Sequence, residues 1–182
     1  MKRQIAWEWL ESTGLEYCTV EETADGICVR GLVVADFSGA MLRLRYEIQC
    51  ETGWRFRNAV IESRHGENLK TLSLSADSRR DWSADGAPRP DLTDCTAIDI
   101  EGTPFTNTLP VRGFTFRPGE SRTFDMAYIR IPDLAVARAG QEYTRLDATH
   151  FRYLSLSSGF TADLDFDADG LVKNYPAIWR MI

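Results

Sequence analysis

The chain has 182 residues, 43% apolar and 26% charged, which fits one ordinary globular domain over 1–182 with a core of its own. Its net charge of −6 sets the overall field against a phosphate backbone, so nucleic acid is not an expected partner. No run of about 18 apolar residues is present, so no membrane-spanning helix is expected. The charged start, Met1-Lys2-Arg3, lacks the continuous apolar stretch of roughly 7–15 residues that an export signal needs. The expected protein is soluble and cytoplasmic, with no oligomeric state implied. Cys18, Cys28, Cys50 and Cys95 include no Cys-x-x-Cys pair, and in this setting they are expected to be reduced thiols on strands.

Taken in chain order, the dominant signal is period-two alternation, the mark of strands with one dry and one wet face. Segments 15–22 and 27–35 alternate loosely. Segment 42–49 alternates strictly, with Leu42, Leu44, Tyr46 and Ile48 separated by Arg43, Arg45 and Glu47. Segments 54–62, 69–75 and 96–100 follow. Residues 85–94 carry two prolines and a glycine and read as a loop. One short helix is expected to open with Thr103 as N-cap and Pro104 at its first position, and to end near Leu109, because Pro110 disfavours helix before it. Phe124, Met126 and Tyr128 mark another strand row. Segments 141–147, 151–156, 160–166, 171–175 and 178–182 complete the set. Ala-Asp-Gly recurs at 24–26, 84–86 and 168–170, and Asp-Gly closes tight hairpins.

The expected fold is therefore all-β and mainly antiparallel: a curled half-barrel or incomplete barrel of about ten or more strands with one short helix or plug. A long antiparallel sheet twists until it curls or closes. With almost no helix to cover it, its concave apolar surface must be filled by side chains or hold a ligand.

Catalytic and metal signatures fail in turn, so no catalytic residue, metal ligand or cofactor is expected. His65 and His150 have no ligand spacing with each other. There is no Gly-x-Ser-x-Gly elbow and no phosphate-cradling loop. Asp163, Asp165 and Asp167 alternate with an apolar face and read as its solvated side. The run from Asp165 to Gly170 imitates half of an EF-hand loop, but Pro176 stands where the twelfth-position glutamate belongs. A three-residue hairpin over 168–170 explains it better, placing Phe166 opposite Val172 and Asp165 opposite Lys173.

The most distinctive segment is Thr103-Pro104-Phe105-Thr106-Asn107-Thr108-Leu109-Pro110. Small hydroxyl and amide groups beside apolar anchors suit an amphipathic ligand. Phe105, Thr106, Asn107, Thr108 and Leu109 are therefore candidate ligand-binding residues. The same segment could equally be a plug that satisfies its own backbone, and the two roles are compatible.

This segment resembles a signature of the bacterial "putative glycolipid-binding" family. So do Met126-Ala127-Tyr128-Ile129-Arg130-Ile131-Pro132-Asp133-Leu134, Gln141-Glu142-Tyr143-Thr144, and the ending from Gly159-Phe160-Thr161-Ala162 through Gly170-Leu171-Val172 to Tyr175-Pro176. Trp54 and Cys95-Thr96-Ala97-Ile98-Asp99-Ile100 also fit. The resemblance runs over nearly the whole chain. It implies a half-barrel similar to bacterial lipoprotein-carrier domains, with segment 103–110 against the concave side, and it brings no catalytic or metal residues. The family pattern continues from the second proline with two basic residues. Here only Arg112 remains, between Val111 and Gly113, and it joins the candidate ligand residues.

The reading is a binding module for a lipid-like or glycolipid-like molecule in the concave face. A structural or interaction protein with a filled barrel is the alternative, and an enzyme of unknown mechanism stands third. A groove of at least roughly 300 Å³ separates the first from the second.

Overall fold

The computed structural model describes residues 2–182. Strands make up 59% of the chain. They are β1 Lys2–Trp9, β2 Gly14–Thr23, β3 Gly26–Phe37, β4 Ala40–Cys50, β5 Phe56–His65, β6 Asn68–Ala76, β7 Trp82–Ala84, β8 Ala87–Pro88, β9 Ala97–Ile100, β10 Ser121–Ile129, β11 Val136–Arg145, β12 His150–Ser155, β13 Thr161–Phe166, β14 Val172–Tyr175 and β15 Trp179–Met181. Among the described residues helix is confined to two 3-10 turns, Pro90–Leu92 and Phe105–Asn107, and one α-helix, α1 Thr108–Gly113.

All the strands join one sheet in the order β8-β7-β6-β5-β4-β3-β2-β1-β15-β14-β13-β12-β11-β10-β9, not closed into a barrel. Pairing is antiparallel except between β9 and β10, which run parallel. The chain starts at the centre with β1 and meanders out to one edge at β8. Residues 89–96 carry it across to the other edge at β9, and it meanders back to pair β15 with β1. Arg80 ties the start of β5 to the segment that leads into the edge strand β9. Its Nη1 donates to the Phe56 carbonyl at 3.0 Å, and its Nη2 donates to the carbonyls of Cys95 (2.8 Å) and Thr96 (2.6 Å).

The alternation places the core as its phase requires. Val29, Val33 and Ala35 of β3 and Leu42, Leu44, Tyr46 and Ile48 of β4 are buried, with Arg43, Arg45 and Glu47 of β4 and Arg30, Leu32 and Val34 of β3 on the other face. Cross-strand ion pairs lace the outer face: Arg30 with Glu47, Arg152 with Asp163, and Arg180 with Glu8. Each pair sits directly opposite in register, where opposite charges favour the alignment. The three Ala-Asp-Gly triplets all lie at strand junctions. At β7–β8 both Asp85 and Gly86 have positive φ, the mirror-image turn that matches strand twist.

Several expectations need correction. The stretch 2–9, not anticipated as a strand, is the central β1. The supposed loop 85–94 contains the short β8 and a 3-10 turn. Trp54 belongs to a turn, with φ of 68°, and β5 begins at Phe56. The acidic hairpin keeps Phe166 opposite Val172, but a bulge puts Asp165 opposite Asn174. The Lys173 ammonium still reaches Asp165 at 3.2 Å. The helix does not stop near Leu109 and runs on to Gly113. Pro110 is tolerated because it occupies the first turn of α1, where the backbone N–H has no intrahelical acceptor to lose.

Candidate functional site

The plug is built from residues 103–113. Thr103 Oγ1 accepts the N–H of Phe105 at 3.1 Å and opens the turn as an N-cap would. From Thr103 to Pro110 every residue is buried. Phe105 is wholly enclosed, its ring 6.3 Å from that of Tyr46 and 6.4 Å from that of Trp54. Phe105 thus anchors the plug inside the curl of the sheet.

Between the plug and the later strands lies a cavity of about 520 Å³. Trp9 and Trp179, stacked at 4.7 Å, form one side. Tyr128, Tyr153 and Tyr175 form another, Tyr153 and Tyr175 lying 6.4 Å apart. The polar floor is Asp99, Asn107 and Gln141. Its groups are fixed before any ligand arrives. Asp99 Oδ1 accepts from the Thr106 hydroxyl at 2.8 Å, and Oδ2 accepts from Gln141 Nε2 at 2.5 Å. The Ile100 N–H donates to Thr106 Oγ1 at 3.3 Å. The Tyr143 hydroxyl donates to Asn107 Oδ1 at 2.8 Å, and Asn107 Nδ2 donates to the Pro104 carbonyl at 3.2 Å. Burial raises the pKa of the Asp99 carboxyl above the ordinary value, and the bonds from Thr106 and Gln141 partly offset it.

A second polar cluster lies under the plug. Glu16 is fully buried on β2, and its Oε1 accepts from the Tyr46 hydroxyl, which also lies 3.4 Å from Thr103 Oγ1. Its Oε2 has no hydrogen-bond partner among the described residues. Burial pushes the Glu16 carboxyl up to about 7, with the hydrogen bonds of Tyr46 and Thr103 pulling the other way.

The candidate residues from the sequence do not all meet at one place. Asn107 lines the cavity and Thr106 orients Asp99 behind it. Phe105 is core. The Thr108 hydroxyl is buried without a partner among the described residues. Leu109 faces a separate cavity. Arg112 points elsewhere, its Nη2 3.4 Å from Glu22 Oε2 and its guanidinium 5.0 Å above the Trp54 ring. In the acidic hairpin, Arg3 pairs with Asp167 at 3.0 Å and with Asp169. No group of three or more His, Cys, Asp or Glu side chains suited to a metal ion occurs among the described residues.

A family described as "Putative glycolipid-binding" matches residues 4–181. The chain belongs to that family. A crystal structure of a DUF1089 family protein from Pseudomonas aeruginosa superposes with a TM-score of 0.83, at 32% identity, over 92% of each chain. No curated protein matches at a significant level. The segments that carry the family resemblance converge in space. Plug residue Asn107, Tyr128 of β10, Gln141 of β11 and Tyr175 of β14 all line the 520 Å³ cavity. Asp99, Gln141 and the tyrosine wall were not singled out from the sequence as ligand residues. One signal was available: Gln141 shares strand phase with Tyr143, so a polar side chain sits on the inward face of β11.

Proposed function

We propose that the chain binds the sugar-bearing head of an amphiphile in the 520 Å³ cavity, without turnover. The observation that carries this reading is the preset floor of Asp99, Asn107 and Gln141 beneath walls of tryptophan and tyrosine. Aromatic faces carry partial negative charge and attract the C–H edges of a pyranose ring. A few fixed polar groups among apolar walls are what orient a small ligand, and the volume falls within the usual range for such sites. The cavity's charged lining is Glu11, Asp99 and Glu101, with no Lys, Arg or His among the described residues. That sign favours a neutral or amine-bearing polyol over a phosphate or sulfate. The family description supports a glycolipid as the class.

Titration calorimetry with octyl glucoside, held below micelle formation, tests the reading. Saturable binding is expected, with octanol at least about tenfold weaker, a difference of about 1.4 kcal/mol. Ser155 lines the cavity and is half-buried, so the bulk of Ser155→Phe should fill ligand space and abolish binding. Equal affinity for octanol, or unchanged binding by Ser155→Phe, would rule the head-group site out.

A further inference from the structure

A second cavity, of about 410 Å³, opens between the turn before β5, the plug and the lead-in to β9, and it shares no lining residue with the first. Its walls are apolar: Trp54 from the turn before β5, Leu109 and Phe114 from the plug and its exit, and Phe124 and Met126 from β10. Its charged members are Arg55, Arg80 and Asp94. Asp94 is already matched, its Oδ2 2.8 Å from Arg138. The two arginines have no such anion, and the Arg80 guanidinium lies over the Trp82 ring at 5.2 Å. Among the described residues Arg55 donates to the Ser78 carbonyl at 3.0 Å, and Arg80 donates to the carbonyls of Phe56, Cys95 and Thr96; neither has a carboxylate in ion-pair range.

Unpaired arginines in water are ordinary, but Arg80 is half-buried, and a buried cation without an anion is costly. Burial and then the neighbouring Arg55 lower its hold on the proton, and the carboxylates of Glu51 and Asp77, beyond ion-pair distance, offset only part of this. Tying β5 to the lead-in of β9 accounts for the three carbonyl bonds. It does not account for a second guanidinium beside it, or for open space against an apolar wall. The Cys95 thiol in the lining is pushed up to about 11 by burial, which argues against a nucleophile there.

We propose that this cavity takes a single-chain amphiphile with a carboxylate head, its chain along Trp54, Leu109, Phe124 and Met126 and its head at Arg55 and Arg80. A guanidinium presents a planar fork of donors that matches a carboxylate. An anion here removes the like-charge repulsion, and an alkyl chain covers the apolar wall. The site stands apart from the sugar-head cavity in place and in charge, so either can hold if the other fails.

Dodecanoate, kept below micelle formation, is titrated calorimetrically into the wild-type protein, Arg55→Glu and Ser155→Phe. Arg55 is exposed, so its reversal should leave the fold intact, and matching circular dichroism melts verify this. One-to-one binding is expected, weakened at least tenfold by Arg55→Glu and unchanged by Ser155→Phe. Absence of saturable binding, indifference to Arg55→Glu, or loss with Ser155→Phe would each overturn the proposal.

Discussion

Asn107 spends both ends of its amide inside the protein, Oδ1 on Tyr143 and Nδ2 on the Pro104 carbonyl. Asn107→Ala strands the hydroxyl of fully buried Tyr143, so it should lower stability by roughly 1–3 kcal/mol in urea unfolding. A variant as stable as wild type would mean that the amide serves no buried group. Glu16 makes a pH prediction. Its folded value, about 7, lies above the ordinary 4.5, so the folded state holds this proton more tightly than the unfolded one. The stability tied to it is complete below about pH 4.5, falls as the pH rises to about 7, and is level beyond. The loss is about 3 kcal/mol. Glu16→Gln should remove that slope, and urea midpoints of both proteins at pH 5 and pH 8 measure it. A slope unchanged by the substitution would assign it to other groups. Segment 103–110 was legible as polar groups among anchors, yet composition alone could not say whether Asn107 turns to a ligand or to the chain. Glu16 was missed although it shares its strand phase with Cys18 and Val20, the mark of an inward-facing charge.

At the scale of elements, β3 and β4 are matched by shape as well as by register. Gly31 lies opposite Tyr46, and the phenol ring occupies the space a side chain would fill: a Cβ at Gly31 would sit 2.1 Å from the ring. Gly31 has no positive φ, so its reason is room and not backbone freedom. Gly31→Ala should cost about 1–3 kcal/mol by overpacking and should displace the Tyr46 hydroxyl from Glu16. In a Tyr46→Ala background the same change should cost little, and a double-mutant cycle by urea unfolding reads the coupling. Additive losses would mean the ring is not the obstacle. Pairings such as this are hard to foresee, because a glycine inside a strand reads only as a weak point until its cross-strand neighbour is known. The helix boundary had the same difficulty. Pro110 is a stop signal inside a helix and harmless in its first turn, and only the preceding 3-10 turn decides which applies.

For the whole molecule, alternation and turn chemistry made the single curled sheet readable, since Asp-Gly turns and period-two faces are local properties. The crossing over 89–96, the parallel β9–β10 pair and the central position of β1 were not readable. They depend on which distant strands meet, and Ile5, Trp7 and Trp9 give no local hint that their strand has a neighbour on each side. That central position matters in time as well as in space. β1 can pair with β2 as soon as both leave the ribosome, but its other neighbour is made last: Arg180 reaches back 172 positions to Glu8. Until then the sheet exists as two arcs whose bare inner borders offer unpaired backbone to any passing strand. The vulnerable seam of this protein during synthesis is therefore its middle, which the finished fold closes with only the three register pairs between β1 and β15.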